Sequence, residues 1–537
     1  MLATPVQGIT LNQAGLMPFN ATTLLSKILI IMPMTAAVSG CLFDNDGKTR
    51  EEKLDRDLSA VIASQNLTGD PASGRSLPEI SEPEAQLGMK LFFSKSLSGD
   101  QDTACVSCHH PALGGGDDLS LPIGVGADRP ELLGPGRTHS GSTHPTVPRN
   151  APTTFNIALW DQVLFHDGRV ESIGKTVGMN GNDGQGIRTP DSTFNTADAD
   201  SGLTMSAAQA RFPVTSAAEM RGHTYAPGDN TVIRTRLEQR LQNVGDSLNE
   251  VNVDPDGDSV NNWVSAFEEV YDATVPAEDI ITFERITSAI AAYENSQVFT
   301  DNRWAEYVAG DTEALTIEEK AGAYLFFNSA EGGGAGCSSC HSGDFFTDEG
   351  FHNIGMPQIG EGKGNGDNTH EDFGRMRETS NESDQFAFRT PSLLNVEHTG
   401  PFGHAGAYDS LEAVVRHHLN PTRAVDDYFS AGGACATLAQ NESDASCEDY
   451  SGGYAEENSR KVLTALEAEQ AAGASLLINT ELSDSQINNL VAFLEALTDP
   501  CLEDSTCLSQ WIPQDLDEED GNRLEIIDQY ESQLLAN

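Results

Sequence analysis

Apolar residues along this chain gather in short runs of helical spacing, and no segment shows the sustained alternation of a strand. Two runs are near copies, LGMKLFF (87–93) and AGAYLFF (321–327), each predicting a short helix buried on most of its surface. Ser81 and Glu84 precede the first run, Thr316 and Glu319 the second, at the spacing of a capping box. A third stretch, LSDSQINNLVAFLEALTDP (482–500), carries Ile487, Leu490, Val491, Leu494 and Leu497 on one stripe behind a Ser483/Gln486 box. The pattern predicts a mainly α fold.

Each near copy leads through a Gly/Ser-rich approach into a cysteine pair followed by histidine: TACVSCHH (103–110) and GCSSCHSG (336–343). C-x-x-C-H is the attachment signature of c-type haem, in which the cysteines form thioethers and the histidine becomes an iron ligand. At this chain's Cys and His content one such pattern arises by chance roughly 0.004 times, so two are not an accident. The competing chemistry is one zinc site built from both pairs. Zinc knuckles usually stand about 15–20 residues apart, whereas these are separated by more than two hundred. Helix and motif are duplicated together, and 537 residues exceed what one core supports. The expected architecture is two cytochrome c-like helical domains, each with one covalently bound c-type haem. They run over 78–300, with an acidic insertion near 180–260, and 301–500, with an insertion at 430–460.

Composition narrows the surroundings. There are 82 acidic and 31 basic residues, a formal charge of -51, scattered along the chain. Such a polyanion repels phosphate backbones, which excludes nucleic acid as partner; it suits a basic partner or a salty medium. Lys27 precedes ILIIMPMTAAVSGC, a run too short to span a bilayer and shaped like a signal peptide over 1–41. VSGC resembles a bacterial lipobox, which implies a lipid anchor on Cys41 at the periplasmic side of the outer membrane. An ordinary secretory signal is the alternative. A polar tether (42–77) and an acidic tail (501–537) complete the organisation. After export, Cys435 with Cys447 and Cys501 with Cys507 are the expected disulfides, because they close small loops. DPDGDS (254–259) reads as a solvated acidic turn, its glycine being misplaced for an EF-hand.

Further stretches carry a resemblance: CVSCHHP, PRNAPTTFN (148–156), FHDGRV (165–170), AAEM (217–220), GCSSCHSGDFFTDEGFHNIG (336–355) and FRTPSLLNV (388–396). With LGMKLFF and the 482–500 helix they make residues 78–500 similar to the bacterial di-haem cytochrome c peroxidases and their MauG-like relatives. The resemblance implies a peroxidatic N-terminal haem held by Cys105, Cys108 and His109. It implies an electron-transfer haem held by Cys337, Cys340 and His341. The sixth ligand of the latter falls at His418 in GPFGHAGAYDSLEAVVRHHL (400–419), where peroxidases have methionine and MauG-like proteins tyrosine. Met356 and Met376 are the alternatives, and the plainer reading is that His418, or its neighbour His417, is a polar helix residue. Histidine there lowers the reduction potential relative to methionine.

The same resemblance puts Val125 of PIGVGA where some relatives have a distal histidine, so the N-terminal haem is expected to be open unless His139 or His144 bends over it. Glu219 matches the acid–base glutamate, and an accompanying glutamine falls near Thr176. His166 replaces a relay tryptophan and reads equally as a relay or as a hydrogen-bond donor to a propionate. Asn150, with the carbonyls of Thr399 and Pro401, matches a calcium site. The implied function is reduction of hydrogen peroxide with electrons from a small cytochrome c or cupredoxin. A MauG-like peroxide-dependent oxidase and a non-enzymatic electron carrier are the alternatives, and a homodimer is left open.

Overall fold

The computed structural model describes residues 49–139, 147–225, 229–244, 262–271, 274–433, 453–514, 519 and 521–524. Cys41, His144, the 254–259 turn and the proposed Cys435–Cys447 bridge lie outside the described residues. The elements that position the site are seven helices: α1 (Arg50–Gln65), α2 (Pro83–Phe93), α3 (Met205–Ala210), α4 (Phe283–Asn295), α5 (Ile317–Phe327), α6 (Leu411–Leu419) and α7 (Asp484–Glu495).

The two near-copied runs are α2 and α5, and each crosses one long-range partner, α2 on α4 and α5 on α7. Their shared glycine explains the crossings. A Cβ on Gly88 would stand 1.8 Å from the carbonyl oxygen of Ala289, and one on Gly322 1.9 Å from that of Asn489. Only glycine lets the helices approach so closely. An aromatic pair follows in each, Phe92 on Tyr293 at 4.9 Å and Phe326 on Phe493 at 5.3 Å between ring centroids. Around these crossings grow two separate cores. The duplication in sequence is thus a duplication of one packing solution.

Two of the three predicted caps form as reciprocal boxes, Thr316 with Glu319 and Ser483 with Gln486. The third does not. Helix α2 begins one residue later than the box requires, with Glu82 at the cap position and Pro83 in the first turn. Glu84 instead accepts hydrogen bonds from Tyr271 and Ser288, so its carboxylate ties α2 to its own core.

Both chain ends depart from the expected tether and tail. In α1, Leu58 is fully buried in the second core, and the Lys320 ammonium, 1% exposed, reaches Glu51 and Asp55 at 2.7 and 3.0 Å. At the other end the expected Cys501–Cys507 disulfide is present, and Leu502, Leu508, Trp511 and Leu524 join the first core. Tyr293 donates to the Trp511 carbonyl, and the Trp511 indole donates to Ser296. An acidic average concealed these few anchoring side chains.

Strands are short: β1 (Val163–Leu164), β2 (Val170–Ser172) and β3 (Ile187–Arg188) form an antiparallel sheet in that order, and β4 (Phe351–His352) pairs with β5 (Phe388–Arg389). The β1–β2 turn is the FHDGR stretch, with Phe165 and Gly168 at φ 64° and 68°. Among the described residues no helix is long and apolar enough to cross a membrane.

Candidate functional site

Two cavities frame the chemistry. The larger, about 790 Å³, is lined by Cys337, Cys340, His341 and, from α6, His418. His341 donates its Nδ1 proton to the carbonyls of Phe346 and Pro391 at 3.2 and 3.1 Å, and His418 donates Nδ1 to Val414 at 2.8 Å. A carbonyl can only accept, so both rings carry the proton on Nδ1 and keep the Nε2 lone pair for a metal. The ring centroids stand 6.3 Å apart. Burial holds both imidazoles neutral, His341 at about 4 with His418 adding to the effect. His417 is different. Its Nδ1 accepts from Tyr408 and its Nε2 donates to the Ile354 carbonyl, both at 2.9 Å, so neither nitrogen is left for a ligand. Met356 lines the same cavity; Met376 lines neither.

The smaller cavity, about 110 Å³, is lined by Cys105, Cys108, His109, Gln209, Glu219 and Lys363, among others. His109 donates Nδ1 to the Gly115 carbonyl at 3.2 Å, the counterpart of the His341 arrangement. Burial, then Glu294, pushes the Cys105 thiol up to about 12, and burial pushes Glu294 itself up to about 8. Glu219 sits on one π-helical turn, Ala217–Arg221, a form frequent at functional sites. The loop 122–125 lies against this turn. A Cβ on Gly124 would stand 2.2 Å from the Ala218 oxygen, and the Val125 N–H donates to that same carbonyl. Val125 is buried and has no atom able to bind a metal. His139 is buried but is not among the residues lining the cavity.

Thr176 does not take the glutamine's place. It is exposed and donates to Asp183. The glutamine that lines the cavity is Gln209 on α3, ten residues before Glu219. The available signal was a single long polar side chain in MSAAQA, a helix otherwise made of small or apolar residues.

Asn150 and His166 line both cavities and so form the wall between them. His166 donates Nε2 to the Asn150 carbonyl at 3.0 Å, while its own carbonyl accepts the Arg389 N–H of β5 at 2.9 Å. Burial, then the Arg149 charge, lowers its pKa to about 3, so the ring is neutral in ordinary solution. The Asn150 amide nitrogen donates to the carbonyls of Leu119 and Ser120, and Thr399 and Pro401 line the larger cavity beside it. Arg149 binds Asp372 through two bonds of 2.7 and 2.8 Å and Asp167 through a third of 2.6 Å, all three side chains being buried. Burial alone would raise both carboxylates, but the guanidinium overrides it: Asp372 falls to about 2 and Asp167 lower still.

Residues 82–313 match the family described as di-haem cytochrome c peroxidase. The methylamine utilization protein MauG of Methylorubrum extorquens is 26% identical over 369 residues, 67% of this chain and 78% of that protein. The cytochrome-c peroxidase IdrP1 of Denitromonas iodatirespirans is 28% identical over 65% of this chain and 73% of its own. The cytochrome c551 peroxidase of Pseudomonas aeruginosa is 26% identical over 63% and 71%.

Over residues 82–313 the chain is similar to the di-haem cytochrome c peroxidase family, and over about two thirds of its length to these relatives. Its fold is the mainly helical one of that family, and its chemistry is that of an oxidoreductase. The residues fit the two c-type haems the family implies. The four motif cysteines are unbridged, and each pair lines its own cavity with its histidine, so the two pairs do not converge on one zinc ion. In the larger cavity the His341 and His418 rings lie 6.3 Å apart and each keeps its Nε2 lone pair, so these two would hold the iron of a haem bound there.

The buried Arg149 group predicts a specific acid sensitivity. Asp372 has its pKa depressed from 3.8, so its stabilisation is complete above about 4 and is lost as pH falls toward 2; Asp167 acts in the same direction. Replacing Asp372 by Ala removes two of the three hydrogen bonds of a buried guanidinium and leaves it only Asp167, which is expected to cost about 3 kcal/mol at neutral pH. Urea unfolding of the two proteins at pH 7 checks this, and equal midpoints would contradict it.

Proposed function

We propose that this protein reduces hydrogen peroxide to water at the N-terminal site, with electrons entering through the C-terminal site from a small cytochrome c or cupredoxin. The observation that carries the reading is Glu219 on its π turn, in the cavity of Cys105, Cys108 and His109, with Gln209 beside it. When bound, the two haems supply redox-active iron, one where peroxide is consumed and one that relays electrons. The chain supplies the rest. Cys105 and Cys108, and likewise Cys337 and Cys340, fasten the groups; Gly115 and Phe346 orient the ligating histidines. The Glu219 carboxylate takes a proton from one peroxide oxygen and returns it to the other, which leaves as water, while the Gln209 amide orients the substrate. Two electrons and two protons complete the conversion of one peroxide to two waters. A Glu219→Gln variant with both haems attached is expected to lose peroxide turnover by about 10²–10⁴-fold. Turnover within twofold of wild type would remove Glu219 from the mechanism.

His418 closes the C-terminal site as a second imidazole, which keeps that site exchanging electrons with little rearrangement. Replacing His418 by Met should raise the potential of that haem and leave peroxide reactivity at the other, as read by spectroelectrochemical titration. An unmoved potential would mean His418 is not a ligand. The bis-imidazole set is also what supports the second reading, a MauG-like oxidase, because a lower potential favours chemistry at the protein over exchange with a donor. Steady-state turnover with a reduced donor cytochrome separates the two.

Asn150, with its amide nitrogen already committed, offers its oxygen alongside the carbonyls of Thr399 and Pro401 to a calcium ion in the wall between the cavities. Chelation is expected to slow turnover and added calcium to restore it. Rates indifferent to both would dismiss the site.

The N-terminal segment supports export to the periplasmic side, with Cys41 as the lipid anchor. Globomycin-sensitive processing of the precursor tests the anchor, and resistance to it would leave an ordinary secretory signal.

A further inference from the structure

The segment 360–372 belongs to the C-terminal half of the chain, yet it delivers a side chain into the N-terminal cavity. It turns back on itself, with Asn365 bridged to Glu371, and Gly362 makes the turn at φ 62°, where a Cβ would stand 2.2 Å from the His370 oxygen. Three contacts hold it: Asp372 on Arg149, Lys461 on Glu371 at 2.9 Å, and Arg377 on the Lys363 carbonyl at 2.8 Å. The side chain it presents to the cavity is Lys363.

Lys363 makes no ion pair and no side-chain hydrogen bond with any described residue. The charged groups around it are Arg169, Arg149, Asp167 and Glu219. Arg149 is occupied by Asp167 and Asp372, and Arg169 shares Asp167 at 3.3 Å while lying 3.6 Å over the Phe165 ring. Burial and the two guanidiniums lower the lysine to about 8, the behaviour of an ammonium set among cations without a counter-ion of its own. Half-buried at the cavity and without a described partner, its ammonium is placed to take a carboxylate that enters there.

The cofactor brings two. A c-type haem is fastened along its vinyl edge, and both of its propionates stand on the opposite edge. The charge acting most on Cys105 is Glu294 and on Cys108 Asp117, whereas Lys363 lines the same cavity among Arg149, Arg169 and Asp167, so the cations around Lys363 are not those at the thiols. We propose that Lys363 is the counter-ion of a propionate of the N-terminal haem, so that a loop of one domain closes on the cofactor of the other. This rests on Cys105, Cys108 and His109 being that haem's attachment site. Lys363 is then a positioning residue. Its charge favours the reduced, less positive cofactor and raises that site's potential.

The test uses the full holoprotein and the variants Lys363→Met and Lys363→Arg. Mass measurement counts attached haems, and spectroelectrochemical titration resolves their potentials. Lys363→Met is expected to keep both haems and lower one of the two potentials, with the other unmoved and Lys363→Arg close to wild type. Unchanged potentials in Lys363→Met with both haems attached would overturn the proposal alone, as would failure of the arginine to restore. Loss of a low-spin electron-resonance signal in Lys363→Met would make the lysine an iron ligand and overturn it too. Wild-type protein without covalent haem would remove the attachment reading and this proposal together.

Discussion

Arg149 donates three charge-assisted hydrogen bonds to two carboxylates, Asp167 from the β1–β2 turn and Asp372 from a loop two hundred residues later. All three groups are out of water, so none tolerates the loss of the others. Each also has a neighbour with work at the junction. Asn150 follows Arg149, and His166 precedes Asp167; both line the two cavities. Asp372 closes the loop that carries Lys363. One buried ion group therefore sets the spacing of the wall, the register of the FHDGR turn and the reach of the lysine. The arginine's planar fork suits this role, since lysine could not satisfy one carboxylate in bidentate fashion and a second at the same time.

The same logic of mutual dependence appears in the packing. Each half has one close helix crossing seeded by a glycine, but neither half is completed by its own stretch of chain. Helix α1 finishes the second core through Leu58, and Trp511 and Leu524 finish the first. The ends of the chain cross over, adding to the direct contacts between the halves, among them Arg149 on Asp372, Arg188 on Glu378 and Arg375 on Glu171. A rigid junction suits two redox sites whose separation fixes their exchange of electrons.

What the sequence disclosed follows from range. The C-x-x-C-H pairs, the near-copied runs and two capping boxes are local patterns with one physical solution each, and they appear where expected. The pairing of His341 with His418 needed a resemblance as well, because the seventy-odd residues between them carry no spacing rule. Gln209 rather than Thr176 lines the cavity because the fold, not the spacing along the chain, brings α3 beside Glu219. The missing cap at Ser81 shows local chemistry yielding to tertiary contact, since Glu84 bonds Tyr271 and Ser288 instead. Lys363 was invisible for the opposite reason. Its surroundings, GEGKGNGD, read as a solvated turn, and only the fold carries that turn to the other cavity.

The distribution of charge follows from the same scarcity. With 31 basic residues against 82 acids, a uniform sprinkling would leave few cations anywhere. Instead Arg137, Arg149, Arg234, Arg240, Arg375 and Lys320 are all buried, capping carbonyls or pairing with carboxylates inside. Buried carboxylates such as Asp117, Asp167, Glu171, Glu294 and Asp372 match them, so the interior is close to neutral and the surface carries nearly the whole negative charge. A negative exterior draws in a basic partner at long range and is screened by salt. It also penalises every electron added within. Cations placed next to the cavities act over a few ångströms at low dielectric and are not screened, so they offset that penalty where it matters. An acidic surface and an interior of closely matched charges are two halves of one arrangement, the first acting at long range and the second within a few ångströms of each cavity.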